Sequence, residues 1–350
     1  MSMITFVEAL NRVTSGGNLS REEAEAVMRE LMTGQTSAVQ TGALLAALRT
    51  KGETVEEISG FATTMRALAT PVPTHRKQLV DTCGTGGDHA GTFNISTTAA
   101  FVVAGAGLAV AKHGNRGATS KCGSADVLEQ LGVNIDASPE QVGHCIDDLG
   151  IGFLFARSLH GAMKHVAPVR AELKIRTVFN LLGPLTNPAK AQAQVVGVFD
   201  RNRAVDMAQV LLNLGVKHAF VVAGSDGLDE ITLGGSTFVA EALDGQVQTY
   251  DIHPSLFGCE VAGKDALLGG DAEANAAILR KILSGAPGPH RNVVLMNAAA
   301  ALVAGGAANE LREGFKTAAH SIDSGAAMRK LEELVHYSHK LPGETGKEWR

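Results

Sequence analysis

The chain has 350 residues, 45% of them apolar and 19% charged, with a formal net charge of −5. That length and apolar fraction suffice for one large or two moderate domains around a substantial core. No basic tract is present, which argues against nonspecific nucleic-acid binding, a process that relies on clustered Lys and Arg.

Residues 1–72 predict an all-helical module. Phe6, Leu10 and Val13 share one face, and Gly16-Gly17 interrupts it. Ser20 with Glu23, Ser37 with Gln40 and Thr54 with Glu57 then have the spacing of capping boxes. Four helices result, and their apolar faces need a partner in the main domain or in a second subunit. Pro71-Val72-Pro73 ends the module and reads as a linker.

After residue 77 strand and helix patterns alternate. A strand entry ends at Leu79-Val80, a helix begins near Asn94, and a strand runs from Leu108 to Ala111 and on to His113. A helix ends at Gly132, Ser138-Pro139 with Gln141 opens another, and Ile151 to Phe155 is a strand. Residues 157–190 are polar and irregular and include Arg170, Lys174 and Arg176. Val195 to Phe199, a helix over 203–214 and Ala219 to Ala223 restore the alternation, followed by short β runs over 232–252. Helices are expected at about 272–284, 292–307, 309–322 and 325–338. The fold class is α/β: a small helical domain plus a larger doubly wound, mostly parallel α/β domain. The expected boundaries are 1–72 for the helical domain, joined by helices from about 170–190. The α/β domain takes 76–168 and 191–340, leaving a tail over 341–350 that holds the sole tryptophan, Trp349.

Cys83, Cys122, Cys145 and Cys259 lie far apart without a C-x-x-C, so neither a zinc site nor a redox motif is indicated. The amino terminus lacks a signal pattern, and no charge-free apolar run is long enough for a bilayer. A cytoplasmic protein without membrane or nucleic-acid partners is expected.

Two loops carry the chemistry. The first is Gly84-Thr85-Gly86-Gly87-Asp88, with Asn94, Ser96 and Thr97 at the following helix start. Glycines let backbone amides face a ligand closely, helix N-termini bind anions, and the hydroxyls could cap the helix. The second, Lys112 to Ser120, closes the next strand with Lys, His, Asn, Arg and two hydroxyls. Loops that follow successive strands of one βαβ unit converge at the carboxyl edge of a parallel sheet. A P-loop is excluded because no lysine follows the glycines, and the dinucleotide fingerprint fails because His89 stands at the third glycine. Asp229 and Glu230 come just after a strand at the same edge; Mg2+ takes one or two carboxylates plus substrate phosphates.

The segments Gly84–Asp88, Asn94–Thr97, Lys112–Arg116 and Cys122–Asp126 resemble those of the anthranilate phosphoribosyltransferases. The likeness continues through His165–Arg170, Arg176–Pro188 and Gly227–Glu230, in order along nearly the whole chain. It implies that anthranilate and 5-phosphoribosyl 1-pyrophosphate (PRPP) are the substrates, with Mg2+ as cofactor and a homodimer through the N-terminal helices. By matching position it implies PRPP contacts at Gly84, Gly87, Asp88, Thr92, Asn94, Ile95, Ser96 and Thr97. Further PRPP contacts are implied at Lys112, His113, Gly114, Asn115, Arg116, Gly117, Ala118, Thr119, Ser120 and Ser124. Ser96, Asp229 and Glu230 match the family's metal positions, and Gly84, Asn115 and Arg170 its anthranilate positions. Arg170 suits a carboxylate, which a guanidinium holds through paired hydrogen bonds. No nucleophilic side chain is required; His113, His160 and His165 are candidate bases, with water the other proton acceptor. The chain departs from the family in having fewer hydroxyls over Gly117-Ala118-Thr119, and in Arg157 and Gly161 where proline is usual. A pyrimidine nucleoside phosphorylase shares the general fold, but the Lys112–Arg116 motif and Asp229-Glu230 favour the transferase.

Overall fold

The computed structural model describes residues 4–117 and 120–340; Ala118, Thr119 and the expected tail over 341–350 lie outside the described residues. Four helices open the chain: α1 (Phe6–Thr14), α2 (Arg21–Met32), α3 (Ala38–Lys51) and α4 (Val55–Leu68). Each begins with a reciprocal capping box, the three legible ones and Thr5 with Glu8 besides. Such boxes satisfy amides that the first turn cannot bond internally. Glu57 is also a brace: wholly buried, it accepts the Leu19 amide at 3.0 Å and the Lys51 ammonium at 2.8 Å.

The remainder runs β1 (Val80–Thr82), α5 (Ile95–Gly105), β2 (Val110–Gly114), α6 (Ser124–Gln130), α7 (Pro139–Leu149) and β3 (Ile151–Phe155). Short helices follow, α8 (Ala156–Leu159), α9 (Ala167–Leu173) and α10 (Phe179–Leu182), then β4 (Ala193–Gly197), α11 (Ala204–Asn213) and β5 (His218–Gly224). A hairpin of β6 (Thr237–Leu243) and β7 (Gln246–Ile252) precedes α12 (Ala272–Leu283), α13 (Pro289–Ala304), α14 (Leu311–Asp323) and α15 (Ala326–Tyr337).

The strands form one sheet in the order β3-β2-β1-β4-β5-β6-β7. The first five are parallel, and β6 and β7 add an antiparallel edge. Asp244 and Gly245, both at positive φ, close the hairpin, the conformation that a two-residue turn needs to match strand twist. Alternate strand residues feed opposite layers. Val195, Phe220 and Val222 enter the core with α5, α12, α13, α14 and α15, whereas Val196, Ala219 and Val221 face α11 and the helical module. Val166, Val178, Phe179, Leu182 and Leu185 from the irregular segment are buried in that second core too, so its basic residues ride on an apolar base.

The chain leaves β1 toward β2 and β3 on one side and returns to β4 on the other. The crossovers diverge between β1 and β4, and ligands of doubly wound sheets bind in the crevice at that point, beyond the strands' carboxyl ends.

Candidate active site

The glycine-rich loop continues β1 along its neighbour: Cys83 donates its amide to Val195 at 3.1 Å and Thr85 to Gly197 at 2.8 Å. Thr82 Oγ1 donates to the Ser96 carbonyl at 2.9 Å, fastening the strand to the first turn of α5. Gly86, Gly87, His89 and Gly91 have positive φ, which turns the chain back on itself. The expectation that the hydroxyls cap α5 is corrected: the N-cap is Asn94, whose side chain makes no capping bond. Asn94 instead donates to the Cys122 carbonyl at 3.2 Å and accepts from Asn275 at 2.9 Å. It is a tie between the two loops, and it leaves the anion-binding end of the helix to groups from outside the helix.

The acidic pair lies on the loop between β5 and β6. Asp229 Oδ2 accepts the Gly86 amide at 2.7 Å. Two glycines make that approach possible: a Cβ on Gly84 would lie 2.6 Å from the Asp229 carboxylate, and one on Gly197 only 1.5 Å from its carbonyl oxygen. Burial raises the pKa of Asp229, and the charge of Asp88 raises it further. Glu230 is raised by burial and then by Asp229, against the opposing charge of Lys112. The Ser96 amide also stabilises the Glu230 carboxylate. Asp88, Ser96, Lys112, Asp229 and Glu230, expected at one sheet edge, thus act on one another. Clustered hard oxygens whose mutual repulsion and burial disfavour ionisation are what a divalent cation relieves, so the donor set fits Mg2+.

On the second loop Lys112 is 4% exposed, and its Nζ donates to the His113 carbonyl at 3.0 Å. His113 and His160 meet Nε2 to Nε2 at 3.3 Å. Burial holds His113 well below the usual imidazole range and lowers His160 to about 4, so both are neutral at pH 7. Ser124 Oγ braces the Asn115 peptide, accepting from its amide and bonding its carbonyl, each at 3.1 Å. Arg116 turns away to Asp126 and Glu129, at 3.0 and 2.7 Å; it shapes this loop through those acids. Ser120 Oγ donates to the Cys122 carbonyl at 3.3 Å.

Arg170, on α9, is half-buried with its guanidinium 5.3 Å over the Phe179 ring. Among the described residues it has no salt bridge, and burial lowers its pKa. It makes none of the contacts that join the two loops to the acidic pair. Arg176 does reach the glycine loop: it lies 3.8 Å over Phe199 and donates to the Gly87 carbonyl. Sequence reasoning gave Arg176 no site role, and it missed three buried polar residues. Asp81 accepts the His113 amide at 3.0 Å and Asn187 at 2.8 Å, and Asn275 holds Asn94. Only their polar side chains in otherwise apolar surroundings could have flagged them.

The fold and the crevice define a glycosyl transferase built of two parts. Residues 7–69 match the glycosyl transferase family helical bundle domain, and residues 76–328 match the glycosyl transferase family a/b domain. The anthranilate phosphoribosyltransferase of Symbiobacterium thermophilum is 56% identical over 336 residues, 96% of this chain and 98% of that protein. That of Desulforamulus reducens is 55% identical over 341 residues, 97% and 98% of the two chains. The crystal structure of the Thermus thermophilus anthranilate phosphoribosyltransferase is 47% identical with a TM-score of 0.91, covering 95% of this chain and 99% of that one. A Saccharomyces cerevisiae anthranilate phosphoribosyltransferase in complex with PRPP and Mg is 29% identical, with a TM-score of 0.89 over 97% and 99% of the chains. This chain belongs to the anthranilate phosphoribosyltransferase family.

Proposed function

We propose that the chain transfers the phosphoribosyl group of PRPP to the amine of anthranilate, giving N-(5-phosphoribosyl)anthranilate and pyrophosphate, in tryptophan biosynthesis. The carrying observation is the Asp229–Gly86 bond with Asp88, Glu230 and Lys112 around it. It brings a phosphate-type loop and a metal-type acid pair to one crevice. The yeast relative in complex with PRPP and Mg, and another in complex with 4-fluoroanthranilate, support the same reading.

In the reaction the bond from ribose C1 to pyrophosphate breaks, its electron pair leaving with pyrophosphate, while positive charge builds on the ring. The anthranilate nitrogen bonds C1 and then loses its proton to water. Gly84, Gly87, Asp88, Thr92, Asn94, Ile95, Ser96 and Thr97 hold PRPP from the first loop. Lys112, His113, Gly114, Asn115, Arg116, Gly117, Ala118, Thr119 and Ser120, with Ser124, form the second side, Arg116 through its acids. Lys112 offsets charge on the departing pyrophosphate. Ser96, Asp229 and Glu230 hold Mg2+, which when bound supplies positive charge to the phosphate oxygens. Gly84, Asn115 and Arg170 orient anthranilate, Arg170 through its carboxylate. Catalysis is then electrostatic and positional, with His113 and His160 neutral walls of the pocket.

The domain boundaries at 72 and 76, with residues 170–190 joining the helical part, belong to this reading. So do a cytoplasmic location and a homodimer through the N-terminal helices. Val7 and Val39, 53% and 81% exposed on the packed helices α1 and α3, support the dimer. No helix among the described residues is long and apolar enough to cross a membrane.

The test follows anthranilate fluorescence with the pure protein and PRPP, with and without Mg2+. Loss of fluorescence that requires both PRPP and Mg2+ is expected. Base release from thymidine plus phosphate, with anthranilate untouched, would reverse the assignment.

A further inference from the structure

Over 293–302 helix α13 is buried throughout and apolar at every position but Asn297, which is 2% exposed. A buried amide without partners is costly, and asparagine is a mediocre helix former, so its contacts deserve an explanation. Its Oδ1 accepts the Ile231 amide at 2.9 Å. Its Nδ2 donates to the Ile231 carbonyl at 2.9 Å and to the Val293 carbonyl, within its own helix, at 2.9 Å. One side chain therefore grips both peptide groups that flank Ile231. The first of those peptides is the one that leaves Glu230.

The rest of the loop is fixed independently. Thr232 Oγ1 donates to Asp226 at 2.7 Å, and the Thr232 amide donates to Thr237 Oγ1 at 3.0 Å. Asp229 is seated on Gly197. Between those supports, the direction in which the Glu230 side chain leaves the backbone is set by the plane of its peptide with Ile231, which Asn297 orients from the core. The helix that carries it packs against β1, β4 and β5, so the grip is referred to the same strands that end at the crevice.

We propose that Asn297 is a positioning residue for the acidic pair: by fixing the peptide between Glu230 and Ile231 it aims Glu230 beside Asp229 at one divalent cation. This rests on the reading of Asp229 and Glu230 as Mg2+ ligands. A residue that merely satisfied a buried loop would lower the melting temperature and leave metal affinity unchanged.

The test uses the full chain with PRPP and Mn2+ in place of Mg2+, free Mn2+ being read by electron paramagnetic resonance. For Asn297→Ala the Mn2+ dissociation constant and the Mg2+ half-saturation should both rise about tenfold, as when the partner orienting a metal ligand is lost, with the anthranilate KM unchanged. A folded Asn297→Ala protein that binds Mn2+ like the wild type would overturn the inference. If that variant does not fold, Asn297→Ser, whose shorter side chain cannot hold both the amide and the carbonyl of Ile231, replaces it in the same Mn2+ titration, and a wild-type dissociation constant there would equally overturn the inference. Asp229→Asn with Glu230→Gln is the control. Unchanged Mn2+ binding there refutes the underlying metal assignment, whereas weakened binding there with none in Asn297→Ala refutes the positioning role alone.

Discussion

The Asp229 carboxylate accepts the Gly86 amide at 2.7 Å across 143 residues of sequence. The bond ties the loop after β5 to the loop after β1, with β4 between them. Gly197 at the end of β4 is the hinge pin of that arrangement, because the Asp229 backbone lies directly on its Cα.

Gly197→Ala puts a methyl 1.5 Å from the Asp229 carbonyl oxygen. Backbone must move, so the variant should lose about 1–3 kcal/mol of stability together with most activity. Thermal unfolding and kcat/KM check both; a wild-type Mg2+ titration in this variant would show that the loop tolerates displacement.

Asp229→Asn with Glu230→Gln removes two of the three crowded carboxylates. Less like charge is buried, so the metal-free protein should unfold at an equal or higher temperature while the Mg2+ half-saturation rises steeply. An unchanged Mg2+ dependence takes both residues out of the metal site.

Arg170→Ala should raise the anthranilate KM about 10- to 100-fold, the worth of a charged hydrogen-bonded pair, and leave the PRPP KM nearly constant. Equal effects on the two would count against its pairing with the carboxylate. Substrate analogues without the carboxylate should be insensitive to the substitution.

His160 titrates near 4 in the folded chain against 6.5 for an ordinary imidazole. Between those values the unfolded ring binds a proton that the folded ring refuses. Stability is therefore full above 6.5 and declines as pH falls, by up to about 2–3 kcal/mol. Melting temperatures from pH 7 to 4.5 should drop less for His160→Gln than for the wild type; parallel curves would exclude the histidine as the cause.

Much of the architecture was legible because its signals are local. The capping boxes at Ser20, Ser37, Thr54 and Ser138 depend on side chains three residues apart, and each starts a helix where expected. The acidic pair was legible as chemistry and by its place after a strand. Its partners were not: nothing near Asp229 in sequence announces Gly86 or Gly197. Arg116 illustrates the converse. Its motif marks it as a ligand-loop cation, yet Asp126 and Glu129 ten and thirteen residues on take its charge. Asn275 and Asn297 were silent because their partners belong to loops 181 and 66 residues away.

Helix α5 is buried from Thr97 to Ala104. Its flanks are packed by α13, α14 and α15, Ser321 bonds its Val102 carbonyl at 2.8 Å, and β1 grips its first turn through Thr82. Dense packing makes such a helix an anvil: its dipole end stays put unless a whole layer comes apart. Any adjustment between resting and working geometry then falls to the thin, loop-borne parts. The acidic segment is itself anchored by Asn297 and Gly197, which leaves the glycine turn as the part that can yield, and its stiffness is open to tuning without touching the core.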